Sequence, residues 1–148
     1  MNPRERVQDP APYRQRASLA WLWFGVIAGP LFWFVQEWLN YAFSSYTCYP
    51  GDTPLAAVPA GWNWYRSGMY GIDAAAFLVA LTAGYVSWRA WVATRGEKPG
   101  GVDEAMELGE GRTRFFAIWG MMYSVAFLGA ILFQTIASIM VPLCGDST

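Results

Sequence analysis

The stretch LAWLWFGVIAGPLFWFVQEWLNYAF, residues 19–43, decides the fold class of this chain. An α-helix needs about 20 apolar residues to cross a hydrocarbon core of ~30 Å. This stretch supplies them and carries aromatic residues near both ends, where such side chains anchor helices at the membrane surface. We therefore predict a first transmembrane span from about Leu19 to Ser44.

Two further segments of the chain have the same apolar character. The second runs from about Gly68 to Trp91 and the third from about Phe115 to Val141. The whole chain of 148 residues is 55% hydrophobic and 18% aromatic, which suits a membrane protein better than a soluble domain of this size. The sequence predicts an all-α membrane protein with three transmembrane helices.

The positively charged residues predict the orientation of these helices. Nine of the ten Lys and Arg residues lie before the first span or between the second and third, and only Arg66 lies in the other connection. Because loops rich in Lys and Arg remain cytoplasmic, we predict the N-terminus inside and the C-terminus outside. The chain then divides into a cytoplasmic segment 1–17, a transmembrane domain 18–142 and an external tail 143–148.

A proline lies in the middle of the first span. Pro30 follows Gly29 and cannot donate a backbone hydrogen bond, so we predict a helix kink at this point. The kink should open space beside Val26 and Ile27 for a neighbouring helix or for lipid.

Small residues recur at helical spacing in the other two spans and predict close helix packing. In the second span they are Ala76, Ala80 and Gly84; in the third they are Gly120, Ser124, Ala126 and Ala130, with Gln134 and Ser138 continuing the stripe.

The two cysteines follow the outward-running ends of the first and third spans. Because Cys48 and Cys144 leave the membrane at the same face, in a compartment where disulfides persist, we predict a bond between them. A Cu(I) site is one alternative, since thiolates and the thioethers of Met69 and Met140 are soft ligands. Free thiols are the other.

Polar residues on all three spans fall at a similar depth near the outer face. Ionisable groups at this depth usually face a partner, a cavity or the bundle interior. We consider a structural network in which Arg66 pairs with Asp73 or Glu37, and a proton-accessible or quinone-facing pocket. This polar belt comprises Gln36, Glu37, Asn40, Arg66, Asp73, Gln134 and Ser138.

Residue types missing from the chain narrow the possible functions. The sequence contains no histidine, which removes the commonest metal ligand and His-based catalysis. Its glycines do not form a phosphate-binding loop between a strand and a helix. We predict no enzyme activity, no catalytic residue, no metal site, no cofactor and no nucleic-acid partner.

Four short motifs stand out in the chain: GPLFWFVQEWLNYAFSSYTCYPG at 29–51, SWRAW at 87–91, RTRFFAIWG at 112–120 and PLC at 142–144. With these motifs the chain resembles a group of small bacterial membrane proteins that are often encoded beside haem–copper cytochrome oxidase genes. The matching positions are Gly29, Pro30, Asn40, Tyr41, Cys48 and Cys144. The resemblance implies a multi-pass protein of the bacterial inner membrane that acts as a non-catalytic accessory subunit or assembly factor of a respiratory complex.

Two other functions remain open at this point. The cysteine pair would serve a Cu(I)-handling protein facing the periplasm. The polar belt would serve a small transporter or a quinone-site protein. In all three cases the lipid bilayer is a partner. An accessory subunit or assembly factor would also bind subunits of a larger membrane complex.

Overall fold

The computed structural model describes residues 18–62, 64–95, 112–141 and 144, and these residues form a bundle of three long helices without a β-strand. All three helices are long and apolar enough to cross a membrane. This confirms the predicted fold class at the level of an all-helical protein with three helices long and apolar enough to span a membrane. The helices are α1 (Leu19–Cys48), α2 (Tyr65–Ala93) and α3 (Arg112–Met140), with a short 3-10 turn (Ala60–Trp62) before α2.

Some sequence predictions concern parts of the chain outside these residues. They include the segment 1–17, the loop from 96 to 111 with Lys98, and the tail 143–148 apart from Cys144.

Each helix extends beyond the span predicted from hydropathy. They contain 30, 29 and 29 residues, which corresponds to about 45 Å at a rise of 1.5 Å per residue. A hydrocarbon core of ~30 Å leaves the ends of such helices in the headgroup layers, or requires the helices to tilt.

The first helix passes through Pro30 without a break. Pro30 has no backbone N–H, so the carbonyl of Val26 lacks its usual helical hydrogen-bond donor. A lateral groove of about 530 Å³ lies here against Val26, Ile27 and Pro30, where space was predicted. The bend itself stays a prediction, because a continuous helix can run straight or curve.

Buried positions recur at intervals of three and four residues along α2, and α1 and α3 show the same spacing with gaps. This spacing is typical of a left-handed bundle, in which one stripe of each helix faces the axis. The stripe on α2 illustrates it: Tyr65, Met69, Asp73, Ala76, Ala80, Ala83 and Ser87 are all buried.

Most buried side chains of the bundle are small or polar, and most large apolar side chains are exposed on the outside. Ala80 and Ala83 have no exposed surface, whereas Leu78 and Phe133 are 62% and 75% exposed. A soluble protein has the reverse arrangement, because its hydrophobic residues are buried away from water. Helices in lipid associate through close packing of small residues instead.

The predicted small-residue stripes are buried in part. Ala76 and Ala80 lie in the core against Ile131 of α3, and Gly84 packs against Ser124. Ala126 is exposed and does not belong to the packing face of α3. The buried stripe of α3 instead runs through Thr113, Ala117, Gly120, Ser124 and Ile131.

All three helices approach each other closely at Ser87. Its hydroxyl lies against the Cα hydrogens of Gly25 on α1 and Gly120 on α3, where a methyl group on either glycine would collide with it. The absence of side chains at both glycines therefore lets all three helices meet at this level.

Gly120→Ala should destabilise the bundle. The added methyl group would meet Ser87 and would lie 3.2 Å from the carbonyl carbon of Gly25, and overpacking of this kind costs about 1–3 kcal/mol. Gly129→Ala on the same helix is the matched control, because its methyl group meets no atom within 4 Å. Thermal unfolding in detergent should give a lower melting temperature for the first variant only. Equal melting temperatures would contradict the close contact.

Candidate functional site

Asp73 is a carboxylate in the interior of the membrane-spanning bundle. It lies on α2, about 12 Å along the helix from Tyr65, and only 3% of its surface is exposed. Burying a charge in an apolar medium is costly unless the charge is hydrogen-bonded or paired. Its neighbours therefore decide what this residue can do.

Two amide side chains of α1 bind the same oxygen of Asp73. Gln36 Nε2 donates to Oδ1 at 2.8 Å, and Asn40 Nδ2 donates to the same atom at 3.0 Å. Gln36 and Asn40 are four residues apart, so they lie on one face of α1 and reach α2 together. Both are buried, with exposed fractions of 0% and 3%.

These three side chains leave three buried oxygen atoms without a hydrogen-bond donor. They are Oδ2 of Asp73, Oε1 of Gln36 and Oδ1 of Asn40. An unpartnered buried polar group costs about 1–3 kcal/mol. The cluster thus has more acceptors than the described residues satisfy, and we call Gln36, Asn40 and Asp73 the amide–carboxylate cluster.

A third hydrogen bond between α1 and α2 lies on the Cys48 side of this cluster. Ser44 Oγ and the Tyr65 hydroxyl are 2.9 Å apart. Ser44 lies one turn beyond Asn40, and Tyr65 has almost no exposed surface. The sequence alone did not predict this pair. The available signal was the helical spacing of Tyr65 from Met69 and Asp73, which places it on the same stripe of α2.

The two charged neighbours predicted for this network behave differently. Glu37 is half-buried on α1 and lies close enough to Asp73 for the two carboxylates to repel each other. Arg66 is exposed at the start of α2. Within the described part of the chain Arg66 forms no ion pair with either carboxylate, so the structure does not contain the predicted pairing.

Gln134 and Ser138 belong to a different part of the bundle. Ser138 Oγ donates to the carbonyl of Gln134 at 3.0 Å. Both residues line a groove of about 820 Å³ together with Tyr41, Ser44 and the two cysteines. The polar belt therefore divides into the amide–carboxylate cluster between α1 and α2 and this outer groove between α1 and α3.

Cys48 and Cys144 form a disulfide bond, with their Cα atoms 4.9 Å apart. This confirms the predicted bridge. It joins the last residue of α1 to the segment that follows α3, so the outer ends of these helices are neighbours as expected. In this form neither sulfur is a thiolate, and Met140 is 76% exposed while Met69 is buried on α2.

Comparison with known proteins gives no assignment. No family model, curated protein or solved structure matches the chain.

Replacing both Cys48 and Cys144 with Ser should lower the melting temperature. A bridge across 96 residues contributes up to about 4.7 kcal/mol in the chain-entropy model, and less in a membrane, which already restricts the unfolded chain. Reductant should lower the melting temperature of the wild-type protein and leave that of the double variant unchanged. Maleimide labelling of both cysteines in the unreduced, detergent-solubilised and denatured protein would contradict the bridge.

Proposed function

We propose that this chain is a non-catalytic protein of the bacterial inner membrane that supports a respiratory complex of the cytochrome oxidase type, as an accessory subunit or assembly factor. The observation that carries the proposal is Glu37, an acidic side chain at membrane depth that lacks a counterion within the described residues.

At its depth in the proposed membrane, a charged Glu37 side chain has a high free-energy cost. It lies about 27 Å from the Leu19 end of α1 and about 16 Å from the Cys48 end, which is within a hydrocarbon core of ~30 Å centred on the helix. Ionisable groups at the centre of a membrane cost roughly 3 kcal/mol on insertion scales. Its nearest charged neighbour, Asp73, has the same sign and adds repulsion.

Glu37 also lies on a stripe of α1 that borders both grooves. Ile27, Pro30, Phe34, Glu37 and Tyr41 follow each other at intervals of three and four residues, so they share one helix face. The first three line the lateral groove with Tyr123 and Phe127 of α3, and Tyr41 lines the outer groove. We call this side of the bundle the α1/α3 face.

A helix of another subunit would satisfy this face. Its apolar side chains would fill the lateral groove beside Pro30, and a basic or hydrogen-bonding residue one to two turns further along would reach Glu37. Gln134 would gain a partner as well, since its side-chain amide forms no hydrogen bond within the described residues. Polar side chains hydrogen-bond across helices in membranes for this reason.

The positions that carry the resemblance to oxidase-associated proteins have structural roles in this bundle. A Cβ atom added to Gly29 would lie 3.6 Å from Cβ of Phe127, so the two helices are in contact there. Asn40 binds Asp73, and the two cysteines form the bridge. Pro30 and Tyr41 lie on the α1/α3 face. Shared positions of this kind support a shared bundle and a shared docking face, and they assign no reaction.

The outer groove favours a second candidate, a site for a small amphiphilic molecule such as a quinone. Its volume of about 820 Å³ lies in the range of ligand pockets, which is about 300–1,000 Å³. The hydroxyls of Tyr41 and Ser44 and the amide of Gln134 could donate hydrogen bonds to quinone oxygens. The Cu(I)-handling alternative requires reduction of the disulfide first, because only the thiolates would bind the metal.

The proposed orientation predicts which side of the membrane carries the disulfide and the outer groove. A phosphatase reporter that is active only in the periplasm, fused after Thr148, should be active because the basic residues hold the other side in the cytoplasm. The same reporter inserted between Gly100 and Gly101 is the control and should be inactive. The opposite pattern would show that the bundle is inverted.

Isolation from native membranes in mild detergent should recover oxidase subunits with the wild-type protein. Glu37→Leu should reduce that recovery several-fold, because it removes the unneutralised charge that the partner contacts. Leu78→Ala is the control, since Leu78 is exposed on α2 away from the α1/α3 face. A wild-type protein that runs alone while the oxidase stays intact would refute a stable-subunit role. Quinone in the lipid extract of that preparation would support the second candidate instead.

A further inference from the structure

The amide–carboxylate cluster has the composition of a small cation site. Asp73, Gln36 and Asn40 present three unpartnered oxygen atoms, all buried. Both amide nitrogens are within 3.0 Å of Asp73 Oδ1, so each amide oxygen lies within about 5 Å of that atom. The cluster therefore holds three oxygens with lone pairs and no donor, one from the carboxylate itself and two from the neighbouring amides.

The charged residues around the cluster also leave its negative charge without a counterion. On α1 the charged neighbour is Glu37, which repels Asp73. On α2 the nearest basic residue is Arg66, two turns further out and exposed. The outer half of α3, from Ser124 to Met140, contains no titratable residue. Thus no basic side chain of the described helices neutralises Asp73.

We propose that Asp73, Gln36 and Asn40 bind one Na⁺ ion between α1 and α2. Carboxylate and amide oxygens are hard ligands that suit hard cations, and backbone amide carbonyl oxygens coordinate Na⁺ within membrane transporters. One carboxylate matches one positive charge. A divalent ion such as Ca²⁺ takes 6–8 oxygens, usually with several carboxylates, which this cluster does not offer.

The burial of the oxygens distinguishes this ion from larger occupants. The three atoms have almost no accessible surface, so a bridging water or a K⁺ ion would displace the surrounding side chains more than a smaller ion would. Na⁺ and Li⁺ are smaller than a water molecule. The hydrogen bond between Ser44 and Tyr65 closes the site toward the outer surface, which predicts slow exchange of the bound ion. The site does not depend on the proposed respiratory partner.

The test is thermal unfolding of the full chain in detergent, followed by tryptophan fluorescence, in NaCl, LiCl, KCl or choline chloride at equal ionic strength and pH. Na⁺ should raise the melting temperature of the wild-type protein by a few degrees, saturating with concentration as binding to the folded state requires. Li⁺ should act similarly, K⁺ weakly and choline not at all. Asp73→Asn should abolish the response, whereas Asp52→Asn, in the exposed outer loop, should retain it.

The wild-type protein alone can overturn the proposal, so the result does not depend on the folding of a variant. Equal melting temperatures in NaCl and choline chloride would leave only buried water or a strained network at this site. A melting temperature that follows pH and ignores Na⁺ would identify a proton as the occupant. A response to Na⁺ that persists in a folded Asp73→Asn variant would place the ion elsewhere.

Discussion

The close approach of the three helices at Ser87 is the contact on which the rest of the bundle depends. Because Gly25 and Gly120 have no side chains, one hydroxyl of α2 can lie against both α1 and α3. Dispersion forces fall steeply with distance, and a lipid environment provides no hydrophobic force to hold helices together. The Ser87–Gly25 contact and the hydrogen bonds from Gln36 and Asn40 to Asp73 join the same two helices, α1 and α2, at two different levels.

The bundle is held by different interactions along its length. Glycine, alanine and serine contacts hold the half that contains Ser87 and Ser124. Hydrogen bonds to Asp73 and between Ser44 and Tyr65 hold the other half, and the disulfide closes its end. The polar contacts lie where α1 and α2 must stay in register, and a disulfide restrains α1 against the segment after α3 at the point where the helices leave the apolar layer.

The two carboxylates of the bundle point to two different tasks. Asp73 is enclosed and has amide donors from α1, so it acts on the inside of the bundle. Glu37 is half-buried on the α1/α3 face and has no counterion within the described residues, so it is available to a partner that packs against this face. An internal ion and an external partner are therefore separate hypotheses, and the variants at Asp73 and Glu37 test them separately.

Local sequence patterns determined much of the fold. Apolar length predicted three spans, and the position of Cys48 and Cys144 after two helices that run in the same direction predicted their bond. Helical spacing also predicted that Ala76 and Ala80 would pack inside. These properties depend on the length of a segment or on its spacing, which a sequence displays directly.

Tertiary structure alone decided which polar residues meet. Depth along a helix placed six of the seven belt residues in one layer, with Arg66 above it. Rotation about each helix axis sends Gln36 and Asn40 to Asp73, and Gln134 and Ser138 to the outer groove. Arg66 had the right charge to pair with Asp73, yet it lies exposed at the start of α2. Ala126 continued a stripe of small residues but faces outward, while Ser87 became the central contact. The orientation of a side chain between helices depends on how all three pack at once, and the spacing within one helix does not contain that information.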